Sequence, residues 1–216
     1  MMKVVEIFKS IDGEGKRAGL PTTFIRLYGC NLRCSYCDSQ YAWSGDAFTE
    51  MSVDEIVAAV KKLGVTSITL TGGEPLIHKH VEMLLSELAK CGFDINIETN
   101  GTQDISIYRY ISHNIWFTVD YKCISSAVSN SMNEDIFKNQ LTDKDVLKFV
   151  VGSDEDLQQA LDVIEAYDPA AQIYFSPVFG FDASKIVDFL LEKKLHRCKV
   201  QLQLHKYIWD KDKRGV

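Results

Sequence analysis

Hydrophobic positions along this chain follow two periods that take turns. Residues 22–29 (TTFIRLYG) are β-branched and aromatic and predict a strand. Ser52 with Glu55 three residues on forms a capping box, and Val53, Ile56, Val57, Val60 and Leu63 then recur at helical spacing up to Gly64, a stop signal. Residues 65–71 predict the next strand, and 76–91 a helix ending at Gly92. Further strands are expected at 94–98, 116–120, 146–151, 172–175 and 199–204. Apolar-periodic segments near 134–141, 154–167 and 184–194 separate the later ones, and the helix position at 105–111 is weak. Strands alternating with helices imply right-handed βαβ units and a parallel sheet. Six or so units predict an α/β fold of one domain, an incomplete parallel (β/α) barrel rather than a closed eightfold one.

Composition narrows the class. The chain has 216 residues, 46% hydrophobic and 25% charged, which fits a globular chain with a sizeable core and excludes disorder and fibrous repeats. Its 24 basic and 30 acidic residues give a net charge of -6. Non-specific nucleic-acid binding needs a basic surface, so no direct nucleic-acid partner is expected. No apolar run approaches the roughly 18 residues of a membrane span, so no membrane partner is expected either. The opening MMKVVEIFKSIDGEG has no h-region, and Cys30, Cys34 and Cys37 cluster while Cys91, Cys123 and Cys198 stand singly. This reads as a reducing cytoplasm in which clustered thiols are metal ligands.

Parallel α/β folds carry their chemistry on the loops after the strands' C-terminal ends. The polar clusters TGGEP (71–75), ETNGT (98–102), DYK (120–122), SPV (176–178) and LHK (204–206) fall at those points, as does the cysteine cluster. All are expected at one mouth.

The C-x3-C-x2-C triplet admits two metals. A structural zinc is closed by four ligands, and none of the five histidines has a supporting local spacing. A cubane iron–sulfur cluster takes one ligand per iron, so three cysteines leave one iron open to a small molecule.

The reading CNLRCSYC, with Tyr36 before the third cysteine, resembles the signature of the radical S-adenosylmethionine (SAM) superfamily, and Gly72-Gly73-Glu74-Pro75 stands where that superfamily has its GGE turn. SIDGEG, FIRLYGCNLRC, CDS, ETNGT and the ending QLHKYIWDKDKRGV resemble, across the whole chain, the 7-carboxy-7-deazaguanine synthase family. That resemblance implies a radical SAM carbon–nitrogen lyase on the route to queuosine and other 7-deazapurines. It would contract the ring of 6-carboxy-5,6,7,8-tetrahydropterin, a small-molecule substrate, to 7-carboxy-7-deazaguanine and ammonia. It also implies a homodimer and an electron donor such as flavodoxin or ferredoxin.

The same resemblance assigns residues. Cys30, Cys34 and Cys37 would hold a [4Fe-4S] cluster, and Ser39 would meet Mg2+, a hard cation suited to a hydroxyl and a substrate carboxylate. Tyr36, Cys37, Asp38, Gly73, Asp120, Tyr121 and Lys122 would surround SAM, although members often carry Ser-Pro-Lys where this chain has Asp-Tyr-Lys. Substrate would meet Ile11, Asp12, Gly13, Glu14, Arg26, Thr71, His205 and Val216. Asp12 departs from the family's usual Gln, and Ser176 stands where Gln is commoner. Several of these have plainer readings as residues: Ser39 as a turn former, Arg26 as a structural ion pair, GGEP as a strand-to-helix turn and His205 as a hydrogen-bonder. On the resemblance the whole of 1–216 is a radical SAM core with short N- and C-terminal substrate-binding extensions. A glycyl-radical activating enzyme shares the triplet, but DGEG, CDS and the RGV tail do not favour it.

Metal analysis of anaerobically purified protein separates the two metals. Iron and sulfide at about four each per chain are expected, and about one zinc per chain would contradict the cluster.

Overall fold

A computed structural model describes residues 1–210 and 213–216. Its frame is a nine-stranded sheet built from β1 (Met2–Ile11), β2 (Pro21–Leu27), β3 (Thr49–Met51), β4 (Ser67–Gly72), β5 (Asp94–Thr99), β6 (Ile115–Lys122), β7 (Val146–Val151), β8 (Gln172–Pro177) and β9 (Cys198–Val200). The order is β3-β1-β2-β4-β5-β6-β7-β8-β9, parallel from β2 to β9, with β1 antiparallel to both β2 and β3. The sheet runs from edge to edge without closing, as an incomplete barrel. Helices α1 (Val53–Leu63), α2 (Val81–Lys90), α3 (Asp154–Tyr167) and α4 (Ala183–Glu192) pack against one face, and a short α5 (His205–Ile208) lies at the mouth.

Local chemistry sets the elements. Ser52 Oγ accepts the Glu55 N–H and Glu55 Oε2 accepts the Ser52 N–H at 2.7 Å, closing the capping box of α1, and Gly64 ends the helix at φ 69°. Ser153 caps α3, whose first turn carries Asp154, Glu155 and Asp156 at the positive end of the helix dipole.

Four segments differ from expectation. The helix expected from residue 76 starts at Val81, because Glu74 Oε1 accepts the Leu76 N–H at 3.0 Å and holds Pro75–Ile77 in a separate 3-10 turn. Segment 134–141 is one π-helical turn, Ile136–Gln140, in which Ile136 and Phe137 are both buried and the Asn139 and Gln140 side chains bond back to Asp135. Segment 105–111 holds only a 3-10 turn, Ser106–Tyr108. The last strand stops at Val200, because the Gln201 side chain turns to Gly15, donating to its carbonyl at 2.9 Å and accepting its N–H at 2.6 Å. Strand β1 and the edge strand β3 lack a clean alternation, which hid them in the sequence.

Successive strand residues face opposite ways. Ile68 and Leu70, Ile95 and Ile97, Phe117 and Val119, Leu147 and Phe149, and Ile173 and Phe175 are fully buried in the core shared with the helices. Their neighbours Thr71, Glu98, Asp120, Lys122, Lys148 and Ser176 face a cavity.

The end of the sheet away from that mouth is plugged. The buried Arg17 donates from Nε to Asp12 Oδ2 at 2.8 Å and from Nη2 to Ile68 O at 2.8 Å and Thr69 Oγ1 at 3.0 Å. Thr69 Oγ1 donates to Asp12 Oδ1 at 2.7 Å. Asp12 is therefore a structural anion at the base of the 12–20 loop. Arg17→Met leaves that carboxylate buried without its partner, and a stability loss of about 3–5 kcal/mol is expected in urea denaturation; a change below about 1 kcal/mol would contradict the role given to the pair.

Candidate functional site

The C-terminal ends of the parallel strands open on one cavity of about 850 Å³. Into it project Arg26 from β2, Thr71 and Gly73 from the end of β4, Glu98 from β5, Asp120 and Lys122 from β6, Lys148 from β7 and Ser176 from β8. The loop after β2 brings Cys30, Cys34, Tyr36, Cys37, Asp38 and Ser39, β1 ends there with Ile11 and the loop after it brings Gly13 and Glu14, and His205 and Val216 come from the C-terminal segment. The N- and C-terminal segments meet there, since the Leu204 N–H bonds Gly13 O at 3.0 Å. A Cβ on Gly13 would collide with the His205 imidazole.

The GGE turn is stitched to the cysteine loop by backbone. Gly73 N–H donates to Leu27 O at 3.2 Å and Glu74 N–H to Gly29 O at 2.8 Å. Any Cβ on Gly73 would strike the Gly29 carbonyl and crowd Cys30, which is why glycine stands there. Glu74 itself faces inward from the turn and is fully buried. Its Oε1 accepts from Thr99 Oγ1 at 2.8 Å and its Oε2 from Asn100 N–H at 2.7 Å, so it fixes the loop after β5. Burial pushes this carboxyl up to about 7, against the pull of those donors.

The three clustered thiols are free and half-buried. Burial raises the pKa of Cys30 and Cys34, and the neighbouring cysteines add to the rise. Cys30 Sγ accepts the Leu32 N–H at 3.4 Å and Cys37 Sγ accepts the Trp43 indole N–H at 3.4 Å. Among the described residues no three Cys, His, Asp or Glu side chains converge as a single ion requires. Three thiols on one loop, two of them already met by N–H donors, fit the corners of a cluster.

Opposite them lies a network of charges. Lys148 Nζ, in a side chain only 8% exposed, reaches Asp120 Oδ1 at 3.1 Å and Glu14 Oε2 at 3.3 Å, and Lys122 Nζ reaches Asp120 Oδ2 at 2.6 Å. Gln203 Nε2 donates to Glu14 Oε2 at 3.3 Å, while Glu14 Oε1 is buried with no partner, as is Ser176 Oγ. Burial pushes Glu98 up to about 7, with Glu14 and Asp12 adding to the rise and Lys148 opposing it. Burial lowers the pKa of His205, with Glu14 opposing. Burial would raise Asp38, but Lys206 Nζ at 3.4 Å and the Ser39 hydroxyl at 3.0 Å hold it below the usual carboxylate range. Arg26 Nε donates to Glu6 Oε1 at 2.7 Å, and the Tyr41 hydroxyl donates to the same oxygen at 3.1 Å.

Two residues expected at the site lie outside it. Asp12 belongs to the plug described above. Tyr121 alternates to the outer face of β6 and packs between Phe137 and Phe149, at 5.0 and 5.5 Å between ring centroids. Sequence reasoning placed Glu98 and Gln203 within site motifs without giving them a role, and it missed Lys148 and Trp43. Lys148 carried the signal that marked Arg26, a lone cation inside an apolar strand.

The radical SAM superfamily description matches residues 24–167, from β2 through α3. Full-length similarity is narrower still. The 7-carboxy-7-deazaguanine synthase of Clostridium acetobutylicum is 43% identical over 99% of both chains. That of Methanospirillum hungatei is 41% identical over 96% of this chain and 85% of its own. This chain belongs to the 7-carboxy-7-deazaguanine synthase family of radical SAM enzymes. The crystal structure of QueE from Escherichia coli superposes at a TM-score of 0.74 and 26% identity, covering 94% of this chain and 93% of that one. Streptococcus suis SuiB bound to S-adenosylmethionine, at 13% identity and a TM-score of 0.60, shares the fold. Membership of this synthase family brings a [4Fe-4S] cluster and SAM as cofactors, and among the described residues no helix is long and apolar enough to cross a membrane.

The raised Glu98 gives this synthase cavity a stability signature. Between its ordinary 4.5 and about 7 the folded chain keeps a proton that the unfolded chain has released. Stability therefore falls as pH rises through that window. In Glu98→Gln that part of the fall disappears, so urea midpoints at about pH 5 and about pH 7.5 should lie closer together than in the parent. An equal or wider gap would contradict the assignment.

Proposed function

We propose that this chain converts 6-carboxy-5,6,7,8-tetrahydropterin to 7-carboxy-7-deazaguanine and ammonia, the reaction of its family. The observation that carries the reading is Glu14, with one oxygen held by Lys148 and Gln203 and the other buried and unpaired. A buried carboxylate oxygen without a donor calls for one. The guanidine-like edge of a pterin supplies N–H donors to it. Arg26 spends Nε on Glu6, and its terminal nitrogens take no other protein acceptor among the described residues, so they suit the substrate carboxylate. Ile11, Gly13, Thr71, His205 and the C-terminal Val216 complete the substrate's surroundings in this reading.

Cys30, Cys34 and Cys37 would hold the cluster, and Tyr36, Cys37, Asp38, Gly73, Asp120 and Lys122 would border SAM. When bound, the cluster and SAM supply one-electron cleavage of the sulfonium, which starts the radical chemistry. The chain's own share is to bind, orient and exclude water. Lys148 and Lys122 hold Asp120 in place, and Glu74 fixes the loop after β5 against the cysteine loop. The Ser39 hydroxyl would be the chain's oxygen donor to Mg2+, a hard cation that keeps water and substrate ligands. No side chain is assigned as acid or base. The homodimer and an electron donor of the flavodoxin or ferredoxin type rest on the family resemblance. The cytoplasmic location rests on the free clustered thiols. The two substrate-binding extensions of a core spanning 1–216 are supported by the bonds of Leu204 and Gln203 to the 13–14 turn.

Anaerobic turnover of the reconstituted chain with SAM, reductant and the carboxytetrahydropterin should give 7-carboxy-7-deazaguanine and ammonia; no deazaguanine would sink the reading. Arg26→Lys loses the planar fork and should raise KM for substrate roughly 10- to 100-fold with the cluster intact. An unchanged KM would return Arg26 to a purely structural ion pair with Glu6.

A further inference from the structure

Trp43 lies just after the 3-10 turn Gln40–Ala42, and its backbone N–H bonds Gln40 O at 3.1 Å. Its half-buried indole aims Nε1–H at Cys37 Sγ from 3.4 Å. The Arg33 guanidinium stands over the same ring, 4.1 Å from its centroid. Arg33 is held in turn by the cysteine loop, donating from Nη1 to Cys30 O at 2.9 Å and Leu32 O at 2.7 Å. The donors are uneven across the three thiols. Cys30 receives the Leu32 N–H and, at 3.8 Å, Asn100 Nδ2, and among the described residues no N–H donor falls on Cys34 Sγ.

We propose that Trp43 sets the reduction potential of the cluster through its N–H bond to the Cys37 sulfur, with Arg33 as the cation that strengthens the donor. The proposal rests on the reading that Cys37 is a cluster ligand. One-electron reduction adds negative charge that spreads onto the cysteine sulfurs. A donor at sulfur stabilises the reduced state more than the oxidised one and so raises the potential. A guanidinium on the indole face draws electron density from the ring and makes its N–H a better donor. Trp43 is a tuning residue: it meets a ligand sulfur and is placed to ease entry of the electron that the family's chemistry requires.

Trp43→Phe keeps a ring beneath Arg33 and removes the N–H donor together with the rest of the pyrrole ring. In an anaerobic titration followed by electron paramagnetic resonance, the ratio of reduced to oxidised cluster at a fixed potential should fall about tenfold, which is about 59 mV for one electron. Arg33→Gln should move the ratio in the same direction by less. A second measurement needs no variant. Parent protein labelled with indole-15N tryptophan should show hyperfine coupling between the reduced cluster and an indole nitrogen. Trp116 lies at the other end of the sheet's concave face, beside Lys16 and Arg17. Repeating the measurement in Trp209→Phe should leave the coupling in place. An unchanged midpoint in cluster-loaded Trp43→Phe would overturn the role of Trp43 alone, as would missing coupling in the parent or its loss in Trp209→Phe. A parent chain that assembles no [4Fe-4S] cluster would overturn the ligand assignment and this proposal with it.

Discussion

Everything at the mouth depends on strands whose two faces obey opposite rules. A parallel sheet covered by helices on one side must bury an apolar residue at every second position there. Ile68, Ile97, Phe117, Phe149 and Phe175 meet that demand. The residues between them are then forced onto the concave face, where Thr71, Glu98, Lys148 and Ser176 stand. The apolar face supplies most of the stability through burial, of order 1.5–3 kcal/mol for each large side chain. The concave face is thereby freed to carry charge. A shift of one residue in any strand would exchange the two sets.

Carrying charge inward has its own cost, and the pairing limits it. Asp120 sits between Lys122 and Lys148, and Lys148 also reaches Glu14. Buried ion pairs add little net stability, because desolvation offsets their attraction, but breaking one strands its partner. Their value in this fold is orientation. The chain of contacts from Lys148 leaves one Glu14 oxygen unpaired, and the Glu74 N–H bond to Gly29 O sets the cysteine loop beside the next strand's end. Glu74 extends that order to Asn100, whose amide comes within 3.8 Å of Cys30 Sγ.

Much of this was legible from residues alone, where local chemistry and tertiary context agree. The capping box at Ser52 and Glu55 formed because, among the described residues, the two groups bond only each other. The 146–151 strand and the 154–167 helix have the expected bounds because their apolar periods match the burial they receive. The failures trace to side-chain and ladder partners, near or far along the chain, that the apolar periods do not encode. Glu74 holds the turn that delays α2, Gln201 prefers Gly15 to a longer strand, and β1 exists because β2 and β3 offer it ladders on both sides. At the site, the cysteine spacing and the family signatures identified the loop. Tyr121 was misplaced because a tripeptide motif ignores the alternation that turns its middle residue outward. Asp12 was misplaced because its partner Arg17 lies in the same loop and takes the carboxylate downward.

In the proposed reading, one concave face holds a cluster at the cysteine loop and a pterin between Glu14 and Arg26. An oxygen-free crystal structure with SAM and the carboxytetrahydropterin bound tests it most directly. The expected result is a [4Fe-4S] cluster on Cys30, Cys34 and Cys37, with the pterin's guanidine-like edge on the free oxygen of Glu14 and its carboxylate on Arg26. A cluster on other ligands, or a pterin lying away from Glu14, would contradict it.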